Sequence, residues 1–367
     1  MVKDSAFIFI KPHALSDEVV EYVKKELFAR DFKVVQAGSI SGELVDKHMM
    51  VDQHFYRTAN NATVIQPEDL QLPEEVFLSE FGASWKDALA KGLVCNALSA
   101  CADMKINAYG LHRLWKQAAE DGRVVEFDRG LSIAEIDKRY IVNGHFLVLR
   151  ESFVQPGVEV KYFVVEWNSS KLPWNKFLQD VIGSPDPLQA SPESLRGHIA
   201  AAWQDFGLDD MPDAQNNVLH ASASAYEAMI EKLNWLDGEV ATDPFGKELL
   251  RSGVSEQTLR KWSLDPQVSV RSQSHPVRLF EALQGRNTWE CLDVLHEVAR
   301  QTGSTKQDSR ASGLVEIVLA SLAASTFMLG LQLLYGEDVH ILWAWLRVGW
   351  VVPLLSVMTR LTQKITL

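Results

Sequence analysis

Residues 216–236 read "NNVLHASASAYEAMIEKLNWL", and the interpretation of the whole chain turns on them. The short run ending on His220 reads as a strand, and the small residues after it lead into a helix. Glu231 follows the histidine by eleven positions, about three helical turns. A histidine at a strand-to-helix junction is commonly packed or hydrogen-bonded, so the surrounding sequence has to decide between that role and chemistry.

Upstream, the chain opens on "AFIFI" (Ala6–Ile10), a buried-strand run. The segment "SDEVVEYVKKELFAR" comes next, with Ser16 as N-cap and Val19, Val20, Val23 and Leu27 on one helical face. "FKVVQAGSI" reads as a second strand and "GELVDKHMMVDQHF" as a second helix. This β-α-β-α opening predicts an α/β (α+β) sandwich. Residues 57–140 break the rhythm with proline punctuation and short amphipathic helices, and read as a helical insertion. Strand signals return at "HFLVLRESF" and at "VEVKYFVVEW" (Val158–Trp167), and residues 237–301 read as a helical extension.

Five stretches, in order, resemble the nucleoside diphosphate kinase family: a strand ending in Lys11-Pro12; Asp46–His48 after the second strand; "VVEW" (Val164–Trp167); "GSPDPLQASPESLRG" (Gly183–Gly197); and Asn217-x-x-His220-x-Ser222-x-Ser224 with Ala228 and Glu231 beyond it. The resemblance covers 1–56 and 143–236, with the insertion between them; the domain bounds read 1–56 and 141–236. It implies a ferredoxin-like domain with a nucleotide cleft, in which the γ-phosphate of ATP or another nucleoside triphosphate, held with Mg²⁺, passes to the histidine and then to a nucleoside diphosphate. On that resemblance His220 is the nucleophile and Glu231 the acceptor that orients its ring. Lys11 and Arg196 match phosphate-binding positions, and Asn217 matches a contact to the sugar hydroxyl.

The departures bear on the same chemistry. Gln179 stands in place of a second phosphate-binding arginine, Pro185 in place of a threonine, Met49 in place of a tyrosine near the histidine, and Ala223 in place of an aspartate. The base-stacking phenylalanine falls near His145–Phe146. Losing guanidinium contacts to a moving phosphoryl group costs orders of magnitude in rate. Two functions stay open: a degenerate nucleotide-binding or structural subunit of a membrane complex, and an active phosphotransferase working through phospho-His220. His13, His48, His54, His112, His145 and His198 share no ligand spacing and read as solvated or core residues.

A net charge of −12 excludes a phosphate-neutralising nucleic-acid surface. The three cysteines make no disulfide framework and point to a reducing compartment. Near the C-terminus, Gly313–Gly336 and Ile341–Leu361 are each apolar and long enough to cross a bilayer of about 30 Å. They predict a two-helix transmembrane hairpin over 313–361, the basic flanks and acidic turn keeping both termini on the cytosolic or equivalent side. The alternative is an apolar hairpin buried in a soluble assembly.

Overall fold

The computed structural model describes residues 3–214 and 216–302. Eight strands build its two main sheets: β1 (Asp4–Ile10), β2 (Lys33–Ser41), β3 (Val94–Asn96), β4 (Val124–Asp128), β5 (Leu131–Ile136), β6 (Arg139–Val142), β7 (Glu159–Trp167) and β8 (Leu219–Ala221). The first sheet is antiparallel with order β2-β7-β1-β8. Helix Asp17–Ala29 joins β1 to β2, and helical segments between Trp174 and Ala201 join β7 to β8. The connectivity is β-α-β twice over, the split arrangement in which the two central strands are the first of each unit.

Strand alternation places the side chains on two faces. Ala6, Ile8 and Ile10 join Phe163, Val165 and Trp167 in one core with the helix residues Val19, Val23 and Leu27. Phe7 and Phe9 face the other way with Val160, Tyr162, Val164, Phe153 and Trp235. Both faces are covered, which is why "AFIFI" is apolar without interruption. Ser16 caps its helix as expected, accepting from the Val19 N–H at 3.1 Å and donating to the Phe206 carbonyl at 2.8 Å. At the outer edge β2 carries a bulge between Val34 and Gln36, and Val34 and Val35 are exposed.

Two sequence expectations need correction. Residues 57–140 are not a purely helical insertion, because they carry most of a second four-stranded sheet of order β3-β6-β5-β4. Its β5-β6 hairpin turns at Asp137-Lys138, both with positive φ (48° and 63°), as a primed two-residue turn requires. The stretch "HFLVLRESF" is not a strand. Phe146–Val154 is a helix burying Phe146 and Phe153 on one side, so its apolar run answers to helical spacing.

Residues 237–301 are mainly helical, with one pair of two-residue strands. They belong to the first core through Phe245, Leu249, Trp262, Leu279 and Leu295. Asp4 Oδ1 accepts from the N–H and Oγ–H of Thr288, at 3.0 and 2.9 Å, fastening the start of β1 to the last described helix, Thr288–Gln301. The apolar stretch 313–361 expected to form a hairpin lies outside the described residues. Among the described residues no helix is long and apolar enough to cross a membrane.

Candidate active site

β8 pairs with β1 so that His220 lies opposite Phe9, and the two rings stack with centroids 4.8 Å apart. After Ala221 the chain turns into helix Ala225–Trp235, capped by Ser224 Oγ accepting from the Glu227 N–H at 3.1 Å. That helix returns Glu231 to the histidine. Its Oε1 lies 2.5 Å from His220 Nε2, and its Oε2 accepts from Ser222 Oγ at 2.5 Å. Ser222 in turn accepts from the Phe7 N–H at 2.9 Å, which locks the carboxylate's backing to β1.

Burial favours the neutral form of each group here. It holds the His220 imidazole well below its usual range, and the charges of Arg196, Lys11 and Arg129 push the same way, with Glu227 opposing. Burial pushes the Glu231 carboxyl upward, against His54 and the Ser222 hydrogen bond. The imidazole is therefore neutral at pH 7, with Nε2 directed at Glu231. Among the described residues no hydrogen bond occupies its Nδ1.

The expected phosphate ligands lie at the same end of β1 and β8, in altered condition. Lys11 is buried, its backbone N–H bonded to the Val218 carbonyl at 3.0 Å. Burial, then the charge of Arg196, bring its ammonium down to about 7. Arg196 is also buried. Its Nε and one terminal nitrogen donate to the Leu219 carbonyl at 3.1 and 2.8 Å, and the other terminal nitrogen donates to Gly183 at 2.8 Å. Burial lowers even this guanidinium, to about 10. Gly197 beside it is required by space, since a Cβ there would fall 2.1 Å from the Ser191 carbonyl oxygen.

Asn217 is buried and donates from Nδ2 to the Pro185 carbonyl at 3.0 Å. Its Oδ1 has no hydrogen-bond partner among the described residues. The positions of departure stand apart: Gln179 and Pro185 are exposed, and Met49 is exposed at positive φ, 52°. Phe146, where the base-stacking ring was expected, is fully buried, so that expectation does not hold.

His54 is the residue that sequence reading missed. It sits edge-on to His220, ring centroids 4.5 Å apart, with Nδ1 3.7 Å from Glu231 Oε1. Nothing in its linear neighbourhood signals this, because only the packing of helix Met50–His54 against helix Ala225–Trp235 creates it. Beside the three groups opens a cavity of ≈ 1090 Å³. Its walls come from the insertion (Arg57, Gly130), helix Ala225–Trp235 and the extension (Leu259, Phe280). Arg129 reaches Glu227 there at 2.8 Å and lies over the Phe280 ring.

No protein-family model matches the sequence, and no curated protein matches it. Solved structures do. The nucleoside diphosphate kinase of Aquifex aeolicus matches at 11% identity and TM-score 0.32, over 63% of this chain and 94% of that one. That of Encephalitozoon cuniculi matches at 14% and 0.31, over 67% and 99%. The NDP kinase of Pyrobaculum aerophilum matches at 15% and 0.30, over 64% and 95%. Overlaps of this extent carry no argument about activity, which rests on the site itself.

Proposed function

We propose that this is a diverged nucleoside-diphosphate-kinase-like protein that binds a nucleotide, or has kept only the scaffold of that site, as a subunit of a membrane complex. One observation carries this reading: the Arg196 fork is closed onto the chain's own Leu219 and Gly183 carbonyls. An arginine that must clamp a transferring phosphoryl group presents its N–H groups outward. Lys11, brought down to about 7, carries only part of a charge at neutral pH. Asn217 speaks for a retained ligand, since its buried Oδ1, without a partner among the described residues, is the acceptor that a sugar hydroxyl would fill. Mg²⁺ would arrive with the triphosphate and neutralise part of its charge, as that ion is seldom held by protein alone.

Phosphoryl transfer through His220 is the second reading, favoured by the hydrogen-bonded Glu231 and the open Nδ1. Labelled ATP separates the two. Incubation of the full chain with it is expected to leave no acid-labile, alkali-stable phosphate above the background of His220→Ala. Label that is present in the wild type and lost in that variant would establish the transferase instead.

The segment 313–361 supplies the anchor in this proposal, its two apolar runs forming a membrane hairpin with the folded part on the cytosolic or equivalent reducing side. Alkaline carbonate is expected to leave the full chain in the membrane pellet. Its release as intact protein would remove the anchor from the proposal.

A further inference from the structure

Two imidazoles and a carboxylate meet at the wall of the cavity, from three elements remote in sequence. His54 ends helix Met50–His54, His220 lies in β8, and Glu231 lies in helix Ala225–Trp235. We propose that His54, His220 and Glu231 form a binding site for a divalent transition metal of the zinc type, separate from any Mg²⁺ carried by a nucleotide.

The donor set is the first argument. Two neutral imidazole nitrogens and one carboxylate oxygen suit zinc and its neighbours, and suit Mg²⁺ or Ca²⁺ poorly. Geometry is the second. His220 Nε2 and His54 Nδ1 lie 2.5 and 3.7 Å from the same oxygen, Glu231 Oε1, and the three ligand atoms fall within 4.8 Å of one another. Bonds of about 2.0–2.2 Å in a tetrahedron space the ligands about 3.3–3.6 Å apart. The two distances to Oε1 fall on either side of that spacing, so side-chain shifts of about an ångström complete the set.

Support around the ligands is the third argument. Ser222 holds Oε2 at 2.5 Å, leaving Oε1 aimed at both rings. The Trp235 indole N–H reaches His54 Nδ1 at 3.3 Å, a long hydrogen bond that the metal would displace. On the cavity side, Arg129 is paired with Glu227. The cavity leaves room for a fourth ligand, a water or a small anion. A metal on Nε2 puts the remaining proton of His220 on Nδ1, so metal binding and phosphorylation of this ring exclude each other.

Metal-stripped full chain, titrated with Zn²⁺, tests the site. One equivalent is expected to remain after desalting and to raise the melting temperature. Co²⁺ in its place is expected to give the visible absorption band of a tetrahedral ion. His54→Asn is expected to weaken Zn²⁺ binding more than tenfold, whereas His198→Asn, an exposed ring stacked on Tyr22 and not part of the cavity wall, leaves it unchanged. Circular dichroism and the metal-free melt show whether His54→Asn is folded. The cobalt spectrum of the wild type needs no variant: an octahedral spectrum, or no retained zinc, overturns the site. Phosphate labelling in metal-free buffer addresses His220 as a nucleophile separately, and its failure leaves the zinc result standing.

Discussion

Replacing Arg196 by alanine is expected to destabilise the fold by about 3–5 kcal/mol, read as a drop in the denaturant midpoint. The guanidinium donates three hydrogen bonds to two backbone carbonyls. Without it the Leu219 and Gly183 oxygens are left inside without donors, each at about 1–3 kcal/mol, and the volume of a buried side chain is vacated. Arg196→Lys should recover only part of this, since one ammonium cannot span both carbonyls with the reach of a fork. A loss below about 1 kcal/mol would show that the fork is free to meet a ligand, and would restore Arg196 to the phosphate clamp.

The second large effect belongs to Asn143. It is fully buried at φ 49°. Its Oδ1 accepts from the Ser132 N–H at 2.9 Å, and its Nδ2 donates to the Thr58 and Gly130 carbonyls at 3.0 and 2.9 Å. One amide thus joins β5, helix Tyr56–Thr63 and the β4–β5 turn, and Thr58 and Gly130 both line the cavity. Asn143→Ala is expected to cost about 3–4 kcal/mol in chemical denaturation, through lost hydrogen bonds and an alanine forced into the left-handed region. Asn143→Gly removes the strain but not the lost bonds, so it should be milder by about 1 kcal/mol. Equal losses for the two variants would mean that the backbone conformation relaxes and the side-chain bonds carry the whole effect.

The first sheet was legible because its signals are local. "AFIFI" is apolar throughout because both its faces are covered, and Ser16 sits where a cap is needed. The β4-β5-β6 meander was missed for a physical reason: its second turn is Asp137-Lys138, without the glycine that usually marks a primed hairpin. At the site, His220 and Glu231 could be paired from sequence only through the family resemblance of the motif they share. His54 could not, since its place depends on helix packing across a long insertion. The state of Arg196 was also hidden. Its identity is in the motif, but whether its N–H groups face a ligand or the chain's own carbonyls is a property of the folded loop 183–197.

The bulge in β2 has a consequence for association. An edge strand of nine residues, Lys33–Ser41, offers its free backbone groups as a template on which another chain could lay a strand. The break between Val34 and Gln36 twists the first part of that template out of line. Only Gln36–Ser41 is left as a continuous rim, and the two exposed valines sit where a second strand cannot follow in register.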